Sequence, residues 1–213
     1  MSYIQQLYLQ KKKELEDEAM RNRHIDGIQA RFVANKVIKK YFEEFNENDL
    51  SLSLNRLNRL VELIDLVYRK DNQGKALFND RYVVSSNGLV IPCVLYHYGW
   101  LLKDEKEAKS YFERSEKEYQ IMSEAVVDEN LNKEIDYLVD AVMHGTRYVD
   151  TVDLRDMLNS EELQKFKFDC VEYEDYEIPQ EIVTELFYDF TFEKFTYLNA
   201  KEKERLGVQD EIN

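Results

Sequence analysis

Three histidines, two cysteines and 43 acidic residues are the groups in this 213-residue chain that could hold a metal or move a proton. His24, His97 and His144 lie far apart, and Cys93 and Cys170 form no CxxC pair. A zinc site is usually announced by ligands at fixed short spacing, as in HExxH or paired CxxC. Read as a sequence, the chain offers neither of these, nor an evident His-plus-carboxylate pair. There is also no P-loop, no GxGxxG and no GxSxG elbow, and Ser85 and Ser86 have no base close by. Paired acids do catalysis only where burial separates their pKa values, which abundance alone does not show. The expectation is a protein that is not an enzyme, with no cofactor and no stoichiometric zinc or iron.

The charge balance narrows the partners. With 43 acids against 29 bases the formal net charge is −14, which disfavours direct nucleic-acid binding. No run of eighteen apolar residues occurs, so no membrane span is expected. The start, MSYIQQLYLQKKKELEDE, has cations after its apolar residues and is not read as a signal peptide. Two cysteines suit reduced thiols in a cytoplasmic protein. The acidity is concentrated: residues 150–189 hold 13 acids and 3 bases, whereas residues 1–70 hold 11 acids and 13 bases.

The elements that must position any site read as mainly α. The apolar fraction of 44% and the absence of a Gly/Pro/Ser linker point to one helical domain over 27–200. An N-terminal helical arm over 1–26 and a charged, frayed tail over 201–213 flank it. Phe32, Val33, Val37, Tyr41 and Phe42 recur at helical spacing. LNRLNRLVELIDLVYRK follows, apolar enough to lie at the centre of the domain. A small hairpin pairs Tyr82–Val84 near Leu89–Ile91, with Asn87-Gly88 supplying positive φ, and Pro92 opens the next helix. Residues 103–128 read as a solvated helix. Residues 129–144 form an amphipathic helix ended by Gly145, and Thr151 caps the helix that bears Leu154 and Leu158. Pro179 starts a later helix. Lys36, Lys39, Lys40, Arg56 and Arg59 read either as a small cationic face or as a solvated face balanced by Glu43, Glu44 and Glu62.

The stretch VVSSNGLVIPCVLYHYGW gathers scarce residues: Gly88, Pro92, Cys93, Gly99 and Trp100. In order and spacing, Val33-Ala34 through Phe45, Leu57-Asn58-Arg59-Leu60, Gly74-Lys75-Ala76-Leu77-Phe78-Asn79-Asp80 and Gly88-Leu89-Val90-Ile91-Pro92, with Tyr96 after it, form a pattern. Leu138, Gly145, Leu154 and Leu158 continue it. The pattern resembles the Panacea antitoxin domain, the SocA-like family found beside toxins and in phages. Ala76 and Leu89 stand where that family has prolines, and Glu62 where an aromatic is usual. The resemblance implies a protein-binding module that neutralises a toxin or presents it to a protease as an adaptor. The alternative is a phage-encoded acidic inhibitor of a host defence nuclease, anti-CRISPR-like, mimicking nucleic acid.

Two surfaces are expected to meet that protein partner. Tyr96, Tyr98 and Trp100 would form a lip beside a rigid Gly88–Pro92 corner, although structural duty also accounts for them. Glu172, Glu174, Asp175 and Glu177 would belong to an acidic docking face over 150–189. Leu154, Leu158, Phe166, Phe168, Ile182, Val183, Leu186 and Phe187 would anchor that face inward.

Overall fold

The computed structural model describes residues 28–45, 50–85, 88–98, 128–170 and 176–208. The arm expected over 1–26 and residues 103–127 of the helix expected over 103–128 lie outside them. In chain order the elements are α1 (Ala30–Glu44), α2 (Leu54–Asp71), strands β1 (Tyr82–Ser85) and β2 (Gly88–Val90), and α3 (Pro92–Tyr98). Then come α4 (Glu129–Gly145), α5 (Thr151–Leu158), α6 (Glu161–Cys170), β3 (Tyr176–Ile178), α7 (Gln180–Leu186) and α8 (Glu193–Arg205). The described chain is mainly α with one small antiparallel sheet, the class its periodicity implies.

Helix α2 is the axis of the domain. Ser53 starts it by accepting the Arg56 backbone N–H on its hydroxyl at 3.2 Å. Leu57, Leu60, Val61, Leu63, Ile64 and Leu66 are all buried, each such side chain contributing about 1.5–3 kcal/mol relative to exposure. The helix packs against α1, α3, α4, α5 and β2. From Arg56 to Leu66 so many neighbours leave no residue facing solvent. Arg56, Asn58, Arg59, Glu62, Asp65 and Arg69 are therefore buried along with its leucines, which corrects the reading of Arg56 and Arg59 as surface cations.

The hairpin forms in the expected place, with Val84 opposite Leu89 and Ser85 opposite Gly88. Gly88 has φ +106°, a conformation that L side chains rarely adopt, and it is the first residue of β2. The sheet has a third strand that the sequence reading missed. β3 pairs antiparallel with the other edge of β1, giving the order β2-β1-β3. Tyr82, Val84, Leu89 and Ile178 face the core. Pro92 begins α3, as its missing N–H allows.

Helices α1 and α4 lie side by side and run in the same direction. Lys36 pairs with Asp136, Lys40 with Asp140, and Glu44 meets His144, so matched positions meet turn after turn. Asp128 caps α4 by accepting the N–H groups of Asn130 and Leu131. Asp150, rather than Thr151, caps α5. Gly145 does end α4, but its φ is not positive and its role is space. A Cβ there would lie 2.7 Å from Phe192 Cζ, so the missing side chain lets the start of α8 close in. The tail after Lys201 remains helical as far as Arg205. Phe195 is buried. Asn199 accepts the Tyr148 N–H at 2.7 Å and donates to His144 O at 3.1 Å, pinning α8 to the end of α4.

Candidate functional site

Buried polar side chains of α2 tie together the segments that carry the sequence pattern. Asn58 accepts the Ile91 N–H at 3.0 Å, and Arg59 donates to Leu89 O at 2.5 Å while pairing with Glu62 at 2.5 Å. A Cβ on Gly88 would come within 3.2 Å of Arg59 Nη1, so glycine there serves both φ and the approach of this guanidinium. Further along, Asp65 accepts from Leu77 N, Arg69 Nε and Tyr82 Oη at 2.8, 2.8 and 2.9 Å. Arg69 goes on to Gln180 O and Thr184 Oγ1, and Thr184 donates to Gly74 O at 2.9 Å. Arg56 holds the carbonyls of Thr146 and Val149 at 2.9 and 2.6 Å, fixing the turn from α4 into α5. These charges are committed to backbone groups and to one another, which is scaffolding.

Burial, with Asp65 close by, pushes the Tyr82 hydroxyl well above its ordinary pKa. Burial likewise pushes the Cys93 thiol far up, and the Asp80 carboxylate beside it adds to the effect. A thiol held protonated in this way is a poor nucleophile and a poor metal ligand. Asp80 also accepts the Ala30 N–H at 2.5 Å, so one carboxylate serves the first turn of α1 and Cys93 together.

The expected partner surfaces fare differently. Tyr98 is buried, its hydroxyl donating to the Asn35 side-chain oxygen with Arg31 O at 3.2 Å. It belongs to the core between α1 and α3 and not to an exposed lip. Its apolar ring and short polar reach suited either place, and the α1 neighbours, distant in sequence, decided it. The side chain of Tyr96 and the whole of Trp100 lie outside the described residues, as do Glu172, Glu174 and Asp175. Glu177 is partly buried and pairs with Arg81 at 2.9 Å. No described acid of the 150–189 segment is buried, and Asp150, Asp156, Glu161, Glu162, Glu181 and Asp189 are exposed. Leu154, Leu158, Phe166, Ile182, Val183, Leu186 and Phe187 are buried beneath them, whereas Phe168 lies outside the described side chains.

The ladder between α1 and α4 ends in a cluster that the sequence reading overlooked. Lys40 Nζ lies 2.5 Å from both Glu44 Oε1 and Asp140 Oδ1. His144 Nε2 lies 3.2 Å from Glu44 Oε2 and 3.6 Å from Asp140 Oδ1. Partial burial works to lower the Lys40 pKa, but the hydrogen bonds and charges of Asp140 and Glu44 raise it overall. The Lys40 hydrogen bond lowers the Asp140 pKa against a smaller desolvation effect. Asp140 and His144 stand at i and i+4, the one signal in the sequence that could have revealed the pair. Glu44 comes from the neighbouring helix and has no local signature.

No described helix is long and apolar enough to cross a membrane. No family model, curated protein or solved structure matches the chain.

Proposed function

We propose that the protein is a non-catalytic protein-binding module of the Panacea antitoxin type, holding a toxin inactive or presenting it to a protease. The observation that carries this reading is the exposure of the acids among the described residues of 150–189. Exposed carboxylates there sit on a segment anchored by buried apolar side chains, so the charge is presented on a fixed support. Opposed charge patches mainly accelerate association and select for basic partners. Tyr137, Tyr188 and Tyr197 are 72–77% exposed, and tyrosine is enriched where proteins meet. Within α2, Asn58, Arg59 and Asp65 bind three of the pattern's segments to one helix, an arrangement that a single binding module requires.

The test is co-expression with the product of the adjacent gene, followed by stopped-flow association. A toxin-type partner forms a stable complex and its toxicity is lost. Reversing Glu161, Glu162, Glu181 and Asp189 to Lys slows association, and so does raising salt, because exposed charges are screened within about 8 Å at physiological ionic strength. An association rate indifferent to both changes would refute the acidic-face reading. Displacement of the partner by DNA would transfer the protein to the nuclease-inhibitor class.

A further inference from the structure

We propose that Glu44, Asp140 and His144 form an exchangeable binding site for a first-row divalent cation of the Zn²⁺ class, which displaces the Lys40 ammonium from between the carboxylates. Two of the three ligand-to-ligand distances are near those of a metal centre. Tetrahedral zinc with bonds of about 2.0–2.2 Å sets neighbouring ligand atoms roughly 3.3–3.5 Å apart. His144 Nε2 stands 3.2 and 3.6 Å from its two carboxylate neighbours, and all three ligand atoms fall within 4.8 Å of one another.

Three further features favour a cation here. α1 ends at Glu44 and α4 at Gly145, so two parallel helices direct their negative ends at the cluster. The Phe45 ring, which carries the Arg147 guanidinium 4.9 Å from its centroid, packs 5.9 Å from the His144 ring and so limits how the imidazole can turn. Finally, Lys40 demonstrates the preference of the site: a positive charge already bridges Glu44 and Asp140. A divalent ion offers twice that charge and, unlike an ammonium, takes a bond from the imidazole nitrogen. One nitrogen and two carboxylate oxygens suit zinc and its first-row neighbours better than calcium, which takes oxygen ligands. The three ligand side chains are 40–51% exposed, leaving water to complete the coordination and the ion free to exchange. Such an ion would bridge α1 to α4 and stabilise the fold without serving catalysis.

The experiment is calorimetric titration of the full chain, stripped of metal by a chelator, with zinc chloride. The expected result is saturable binding of one ion per chain, with a melting temperature that rises with zinc. His144→Ala weakens binding about tenfold or more, the scale on which even outer partners of metal ligands act. Glu44→Gln weakens it as well, and Lys40→Met tightens it by removing the competing cation. Folding of each variant is checked by circular dichroism, and a zinc-dependent shift of the His144 ring resonances gives a readout in the wild-type protein. The proposal is overturned if the wild-type chain shows no saturable binding. It is also overturned if His144→Ala retains full affinity, which would put the ion elsewhere, or if Lys40→Met binds no tighter than wild type.

Discussion

Asp65 Oδ1 accepts the backbone N–H of Leu77 at 2.8 Å, inside the core and across the turn that follows α2. The other oxygen of the same carboxylate holds Arg69 Nε and the Tyr82 hydroxyl. One fully buried side chain thus joins α2, the 72–80 segment and β1. In Asp65→Asn the amide keeps one acceptor but turns an N–H₂ donor toward the Arg69 guanidinium, whose buried charge then loses its counter-ion. Breaking a buried pair from one side typically costs about 3–5 kcal/mol. Urea denaturation is expected to show a loss of that order, and a loss under about 1 kcal/mol would mean that water compensates the site.

The Arg59–Glu62 pair separates the worth of a salt bridge from the cost of breaking one. Arg59→Leu takes the closer of two donors from Leu89 O and removes the cation beside the buried Glu62 carboxylate. Adding Glu62→Leu removes that stranded charge, and apolar replacements of buried pairs are often neutral or stabilising. The double variant is therefore expected to be more stable than Arg59→Leu alone, with Asn58 still holding β2 through Ile91 N. Additive losses in a double-mutant cycle would show that the two side chains act independently.

These pairs also mark where the sequence stops being legible. The leucines of α2 declare a buried helix through their spacing, and Gly88 and Pro92 declare a turn and a helix start through backbone chemistry. Glu62 and Asp65, three and four residues from Arg59 and Arg69, look identical to solvated surface pairs. Only the encirclement of α2 by five other elements buries them, and nothing local encodes that. β3 was missed for a related reason. Tyr176-Glu177-Ile178 is three residues in an acidic run, and it becomes a strand because β1 has a free edge to receive it. The Glu44–Asp140–His144 cluster depends on two parallel helices meeting in register, of which only the Asp140/His144 half is written in one stretch.

Two protonated groups, Tyr82 in the core and the partly buried Cys93 against it, make the stability of the fold sensitive to alkali. Burial raises the pKa of the Cys93 thiol above its ordinary 9.0, with the Asp80 carboxylate adding to the shift, and burial beside Asp65 raises that of Tyr82 above its ordinary 10.0. Below about pH 9 both groups are protonated in the native and the unfolded chain, so their contribution is constant there. Above pH 9 for Cys93, and above pH 10 for Tyr82, the unfolded chain gives up a proton that the native state keeps. Stability then falls as pH rises, by up to about 1.4 kcal/mol per pH unit for each such group, until the native group ionises as well. Cys93→Ala and Tyr82→Phe should each remove one proton's worth of this slope. Tyr82→Phe should also lower the neutral plateau, since Asp65 loses its hydroxyl donor. The measurement is unfolding free energy against pH between 7 and about 11 for the wild type and both variants, with slope and plateau read separately. Parallel curves above pH 10 for all three proteins would show that neither proton is held by the fold.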